Sequence, residues 1–359
     1  MRRLIRTIHL VLGLLSGIFI VVLGATGSIL AFEPQIDNLL HRDLSYVTPA
    51  GPAVSLVEIG NAVSRKYEGE GIVAFLPSTS PHVPAEVILS RGIVSVNPYT
   101  GQVLGLRTRG QSFLGLVRAL HERLASGDVG KSILKWSAIA MLFSLLSGLY
   151  LWWPGRDLRI HGAWGSTKFW YDLHQTIGIF SLVPLFVLAA TGAMIGFKDQ
   201  AALLLGKISP PPTVYARQAE NRVQPEAGAQ ITPDRAVQIA CSRLSGAIVY
   251  RVQMPRYGGR YLVNLLNPSD RIAGERNSVS IDPWTGSVLS VAQGTDLSFR
   301  ERVEAWNEAI HTGDVFGITS RTIVAAASIL VTIQVVTGWI IWLRRSHLLS
   351  SCKSKRALP

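Results

Sequence analysis

Cysteine and charge are both scarce in this chain. Two cysteines, Cys241 and Cys352, occur among 359 residues, too few for a disulfide framework. Charged residues make up 16% of the chain against 48% hydrophobic, and the mean hydropathy is positive at +0.29. That balance points away from an ordinary soluble domain and toward a membrane protein with sizeable soluble parts. Also missing is a G-x-G-x-x-G step that follows a strand and opens a helix, so the sequence offers no dinucleotide-binding fingerprint.

Four windows carry no charge: Leu10–Phe32, Trp136–Trp153, Gln175–Phe197 and Thr322–Leu343. A hydrocarbon core of ~30 Å needs about 20 such residues in a helix. The second window is short and is read as extending past Lys135, whose long side chain can reach the interface. The first follows a basic start, yet its 23 residues exceed a signal-peptide core and no small-x-small step comes after it, so it is read as an uncleaved anchor.

The net charge of +12 has a definite location. Arg2, Arg3 and Arg6 precede the first window, and Arg156, Arg159 and Lys168 lie between the second and third. Arg344, Arg345, Lys353, Lys355 and Arg356 follow the fourth. Residues 33–130 balance eight basic against nine acidic side chains, and 198–320 balance thirteen against twelve. The excess therefore falls on one side of the membrane, which the positive-inside rule makes cytoplasmic. Nucleic acid is not an expected partner; membrane lipid is. The expected division is 1–32 as tail and first span, 33–130 as an outer region and 131–153 as the second span. A cytoplasmic loop (154–173), the third span (174–197), a second outer region (198–320), the fourth span (321–343) and a basic tail (344–359) follow.

Two of the spans match each other. In His9–Phe32 and in His174–Phe197 a Gly follows the His by four positions, at Gly13 and Gly178, and a Thr-Gly pair begins seventeen positions on. A Phe closes each segment. Four shared offsets mark an internal duplication. On a helix of 3.6 residues per turn, His9, Gly13, Gly17, Gly24 and Ser28 fall on one face, as do His174, Gly178, Ser181 and Gly192.

The outer regions match as well. After an irregular connector at 33–54, a helical pattern at 55–67 precedes strand patterns at 72–76, 85–90, 93–97 and 102–106. The second region repeats that order with a helix opened by Thr232 and Pro233 and strands at 247–253, 260–266, 278–282 and 287–292. The segments VSVNPYTGQVL (94–104) and VSIDPWTGSVL (279–289) are nearly superimposable. Here the chain resembles a PepSY domain, a small helix-plus-antiparallel-sheet module, present twice. The expected fold is an α-helical membrane protein, with four transmembrane helices from a duplicated two-helix unit and two periplasmic α+β PepSY-like modules.

Each outer region ends in a segment with one histidine, His121 or His311. Gly148 and Gly338 each lie 27 residues beyond it, with Trp152 and Trp342 four further on. The GDV triplets of the two segments break this alignment by four residues. Two histidine pairs result, His9 with His174 toward the cytoplasm and His121 with His311 toward the outside. Ionisable groups at a membrane boundary are costly enough to suggest a role. Haem fits, because iron porphyrin takes axial imidazoles from opposite sides and bundle helices can each supply one. A closed zinc site needs four ligands at one point, while copper stays open for the outer pair. With no C-x-x-C-H step, a haem would be b-type and non-covalent. Two plainer readings stand beside this: histidines at an interface, and small-residue faces serving helix packing. His41, His82, His161 and His347 have no counterparts and read as surface or loop residues. Trp152, Trp153, Trp339 and Trp342 read as an aromatic belt, with electron relay as the alternative.

Over nearly its whole length the chain resembles the PepSY-associated transmembrane family, iron-regulated inner-membrane proteins that include ferrisiderophore reductases. That resemblance implies a di-haem reductase with His9, His121, His174 and His311 as ligands of two b haems. It also implies a ferric siderophore as periplasmic substrate, released on reduction to Fe(II). The electron donor would then be separate, a quinol or a cytoplasmic reductase. Arg256, Tyr257 and Arg260 are candidate substrate contacts. A non-redox protein whose PepSY modules bind a peptide or a metal-loaded ligand for sensing or transport is the alternative.

Overall fold

The computed structural model describes residues 1–108, 112–208, 229–255, 259–267 and 277–356, with side chains to 346. The chain divides into two compact units, 1–33 with 116–201 and 310–359, and 34–115 with 202–309.

The first unit is a helical bundle. It contains α1 (Arg2–Leu30), α6 (Gly127–Trp152), the pair α7 (Thr167–Phe180) and α8 (Leu182–Gly196), and α12 (Ile318–Arg356). The end of α5 (Phe113–Arg123), the start of α9 (Lys198–Ile208) and the last residues of α11 (Phe299–Thr312) belong to it too. Among the described residues three helices are long and apolar enough to cross a membrane, and α7 with α8 pass the same test only when taken together. In the bundle α1 lies between α6 and α12, α6 packs on α8, and α12 packs on α7.

The third span expected over 174–197 is not one continuous helix but the pair α7 and α8. Its two halves meet at 66° beside Ser181. Pro184 stands in the first turn of α8 and has no N–H for the carbonyl of Phe180, while the Ser181 Oγ–H bonds back to the carbonyl of Ile177 at 2.7 Å. A missing i→i−4 bond beside a back-bonding serine is a known cause of a sharp kink. The continuous face of His174, Gly178, Ser181 and Gly192 therefore does not exist.

The glycines of α1 take different roles from one another. A Cβ on Gly24 would stand 2.6 Å from the carbonyl oxygen of Ser328, and one on Gly17 would stand 3.0 Å from the Trp339 ring. These two let α12 approach closely, as small residues do in membrane helix pairs. Trp339 thus packs against α1 at Gly17.

The second unit holds one eight-stranded antiparallel sheet of order β4-β3-β2-β1-β5-β6-β7-β8. Its strands are β1 (Ile72–Leu76), β2 (Ala85–Leu89), β3 (Gly92–Val96), β4 (Val103–Thr108), β5 (Ile248–Gln253), β6 (Tyr261–Leu266), β7 (Asn277–Ile281) and β8 (Val288–Ala292). The two modules thus share one sheet, joined where Ala74 and Phe75 face Gln253 and Val252. Alternating strand residues point to one face, where α4 (Leu56–Lys66) and α10 (Pro233–Arg243) pack. Val63, Val87, Val94, Val252, Val263, Leu265 and Ile281 are wholly buried there.

Local chemistry accounts for the ends of these elements. Ser55 and Glu58 form a capping box at α4, and Thr232 caps α10 through the Arg235 N–H, with Pro233 in its first turn. The carboxylate of Asp234 accepts the Leu56 and Val57 N–H groups at 2.8 and 3.0 Å, so the second module caps the helix of the first. In the matched turns Asn97 and Asp282 accept the N–H of Tyr99 and Trp284, and Gly101 and Gly286 supply φ of +70° and +72°. The expected irregular connector after the first span contains α2 (Glu33–Leu40) and α3 (Arg42–Ser45) instead. Pro34 sits in the first turn of α2, where its missing N–H costs nothing, and Arg107 ties Asp37 of α2 to Glu86 of β2.

Candidate functional site

The four histidines singled out above come together as two pairs inside the bundle. The ring centres of His9 and His174 are 6.4 Å apart with planes at 85°, and those of His121 and His311 are 6.4 Å apart at 49°. A metal–imidazole bond is about 2 Å, so two rings meeting one metal from opposite sides place their centres roughly 6 Å apart. Both pairs have that spacing. Seventeen residues of α1 separate His9 from Thr26, the neighbour of His121, which sets the pairs about 25 Å apart along a straight helix.

Each ring rests on a hydroxyl-glycine step of a neighbouring helix. His9 Nδ1 is 2.9 Å from Ser147 Oγ, and a Cβ on Gly148 would stand 3.3 Å from its Cε1. His174 pairs with Thr337 at 3.0 Å and lies against Gly338. His121 pairs with Thr26 at 2.9 Å and lies against Gly27. His311 pairs with Thr191 at 2.9 Å and lies against Gly192. A side chain at any of these glycines would crowd the ring it faces.

The segments that deliver the rings are held locally. Arg118, one turn before His121, pairs with Glu33 and with Glu122 of its own helix. The chain then reverses through Leu124 and Ala125, at φ of 49° and 52°, and a Cβ on Gly130 would collide with the carbonyl of Arg123. Outside the spans, burial, then His311 and Arg118, push the His121 imidazole down to about 4, and burial lowers that of His311. Burial thus favours the neutral imidazole in both, the form that binds a metal.

The pairs differ in one neighbour. Gln334 Nε2 lies 3.2 Å from His174 Nε2 and would be 2.8 Å from a Cβ on Gly178. Its Oε1, like the Ser144 hydroxyl of α6, is buried without a partner. Among the described residues no group of three or more His, Cys, Asp or Glu could hold a metal ion.

The remaining histidines have local partners: His41 with Asp37, His161 with Asp157, and His82 stacked on Tyr46. Arg256 and Tyr257 lie outside the described residues, as do the side chains of His347 and Cys352, while Arg260 lies just before β6. Sequence reasoning missed Ser147 and Thr337, although each directly precedes a glycine it had selected. Gln334 was missed too, and its signal is the one amide side chain within the apolar window 322–343.

A family model, the PepSY-associated TM region, matches residues 6–345. No curated protein matches the chain.

Proposed function

The chain belongs to the PepSY-associated transmembrane family, and on that premise we propose that it is a di-haem b electron-transfer protein of the bacterial inner membrane. In this reading four spans, the third of them bent, come from a duplicated helix pair, and both termini are cytoplasmic. His9 and His174 hold one haem toward the cytoplasm, and His121 and His311 hold the other toward the periplasm. The observation that carries the proposal is the recurrence of one ring spacing, 6.4 Å, in both pairs. Bound haem would supply reversible one-electron chemistry at two depths, where a single centre leaves most of the hydrocarbon thickness uncrossed.

The protein's own part is to orient the imidazoles, keep them neutral and exclude water. When His174 takes a metal, the Gln334 amide must give up its contact with Nε2. The acceptor is a periplasmic ferric chelate, and a ferric siderophore fits best, because weak binding of Fe(II) makes reduction the release step. The donor is a quinol or a cytoplasmic reductase. The basic tail and the 154–173 loop can bind anionic lipid or dock an acidic donor.

An absorption spectrum of the full-length protein, made with ample haem, tests this directly. A sharp Soret band that shifts on dithionite, at two haems per chain, is the expected result. Protein that folds and holds no haem would overturn it in favour of a PepSY membrane protein that binds a peptide or metal-loaded ligand. Reductase assays across several ferric chelates then identify the acceptor class.

A further inference from the structure

The four hydroxyls beside the histidines share a second feature. Thr26 Oγ1 is 2.6 Å from the carbonyl oxygen of Val22, Thr191 Oγ1 is 2.7 Å from that of Val187, Thr337 Oγ1 is 2.9 Å from that of Gln334, and Ser147 Oγ is 3.1 Å from that of Ser144. A hydroxyl has a single proton to donate. With that proton committed to a helix carbonyl, the oxygen can only accept from the imidazole, so Nδ1 must carry the hydrogen.

One further contact agrees. At His174 the Gln334 amide stands at Nε2, where an N–H donor needs a bare nitrogen.

We propose that Ser147, Thr26, Thr337 and Thr191 are positioning residues that fix His9, His121, His174 and His311 as Nδ1–H tautomers, which leaves Nε2 bare on each ring. The proposal rests on the haem reading above for its consequences, though not for the tautomer itself. An N–H···O bond from the far side of an imidazole orients the ring and raises its basicity toward a metal. The adjacent glycine completes the device, since its missing side chain lets the ring edge approach the helix. The hydroxyl-glycine step occurs at 26–27, 147–148, 191–192 and 337–338, once for each ring.

The test uses full-length protein in nanodiscs, labelled with 15N-histidine. In the apoprotein the imidazole nitrogen shifts report the tautomer directly, and a protonated Nδ1 on all four rings is expected. A protonated Nε2 on these rings would overturn the proposal. In haem-loaded protein, Thr26→Val removes the acceptor at nearly constant volume. The haem of the His121–His311 pair should then bind 10–100-fold more weakly and show a raised midpoint potential, because a less basic ligand favours Fe(III) less. The other haem should keep its potential, and Thr26→Ser should restore the first. A Thr26→Val protein with unchanged potential and affinity overturns the positioning role. If Thr26→Val does not fold, Thr191→Val makes the same comparison on the partner ring. Wild-type protein without haem would sink the redox reading, while the apoprotein shifts still decide the tautomer.

Discussion

In the sheet unit the interior is apolar and continuous, whereas the bundle keeps small and hydroxyl side chains inside. Among the described residues, seventeen buried apolar side chains cluster between α4, α10 and the sheet, and only Ile20, Leu185, Ala327 and Val331 do so in the bundle. The bundle buries Ser16, Thr26, Ser137, Ser181, Thr191, Ser328 and Thr337, where the sheet unit buries Ser95, Ser278 and Ser280, and it exposes Leu15, Phe143, Phe180 and Val183 on its outside. Water drives the first arrangement, since burying apolar area is worth about 25 cal/mol per Å². A bilayer removes that drive between helices and leaves close packing and hydrogen bonds as the adhesive. The interior so freed from packing duty is where the four imidazoles stand.

Mutations should separate the two regions. The largest effect is expected from His174→Ala, which should remove the haem of the His9 pair and leave the other, halving the haem per chain in a pyridine haemochrome assay. Retention of both haems would break the assigned pairing. Next, Leu265→Ala in the sheet core should destabilise that unit by about 2–5 kcal/mol, read by denaturant unfolding, with haem content unchanged. A fall in haem with this substitution would show that the two regions do not act separately. Asp234→Ala removes a carboxylate that caps α4 from the neighbouring module, and should cost about 1 kcal/mol in the same assay. The smallest effect is expected at the reversal after His121, where Ala125→Gly should relieve a left-handed φ and stabilise the bundle by up to about 1 kcal/mol. Greater resistance to heat-induced aggregation would record it.

Much of this was legible in the residues. Alternation of apolar and polar residues placed all eight strands within a residue or two, because a half-buried strand shows its period of two directly. The offsets of seventeen and twenty-seven residues named all four histidines and two of the hydroxyls beside them. The 33–54 connector was misread, because its helices are short and lack apolar periodicity. The helical projection put Gly17 and Gly24 on the His9 face, where they serve contact with α12, but a projection cannot say which neighbour a face will meet.

The sequence by itself determined which segments are apolar enough to span a membrane, which turns need glycine at positive φ, and which histidines recur at matched spacing. Those properties are local, fixed by hydropathy, by backbone sterics and by counting along one chain. Tertiary structure alone decided that the two modules share one sheet, that the helix pair α7 and α8 bends at Ser181, and that each imidazole sits against a hydroxyl more than ninety residues away in the chain. Such contacts depend on how separate helices and strands pack, and no periodicity along the chain encodes a partner that distant.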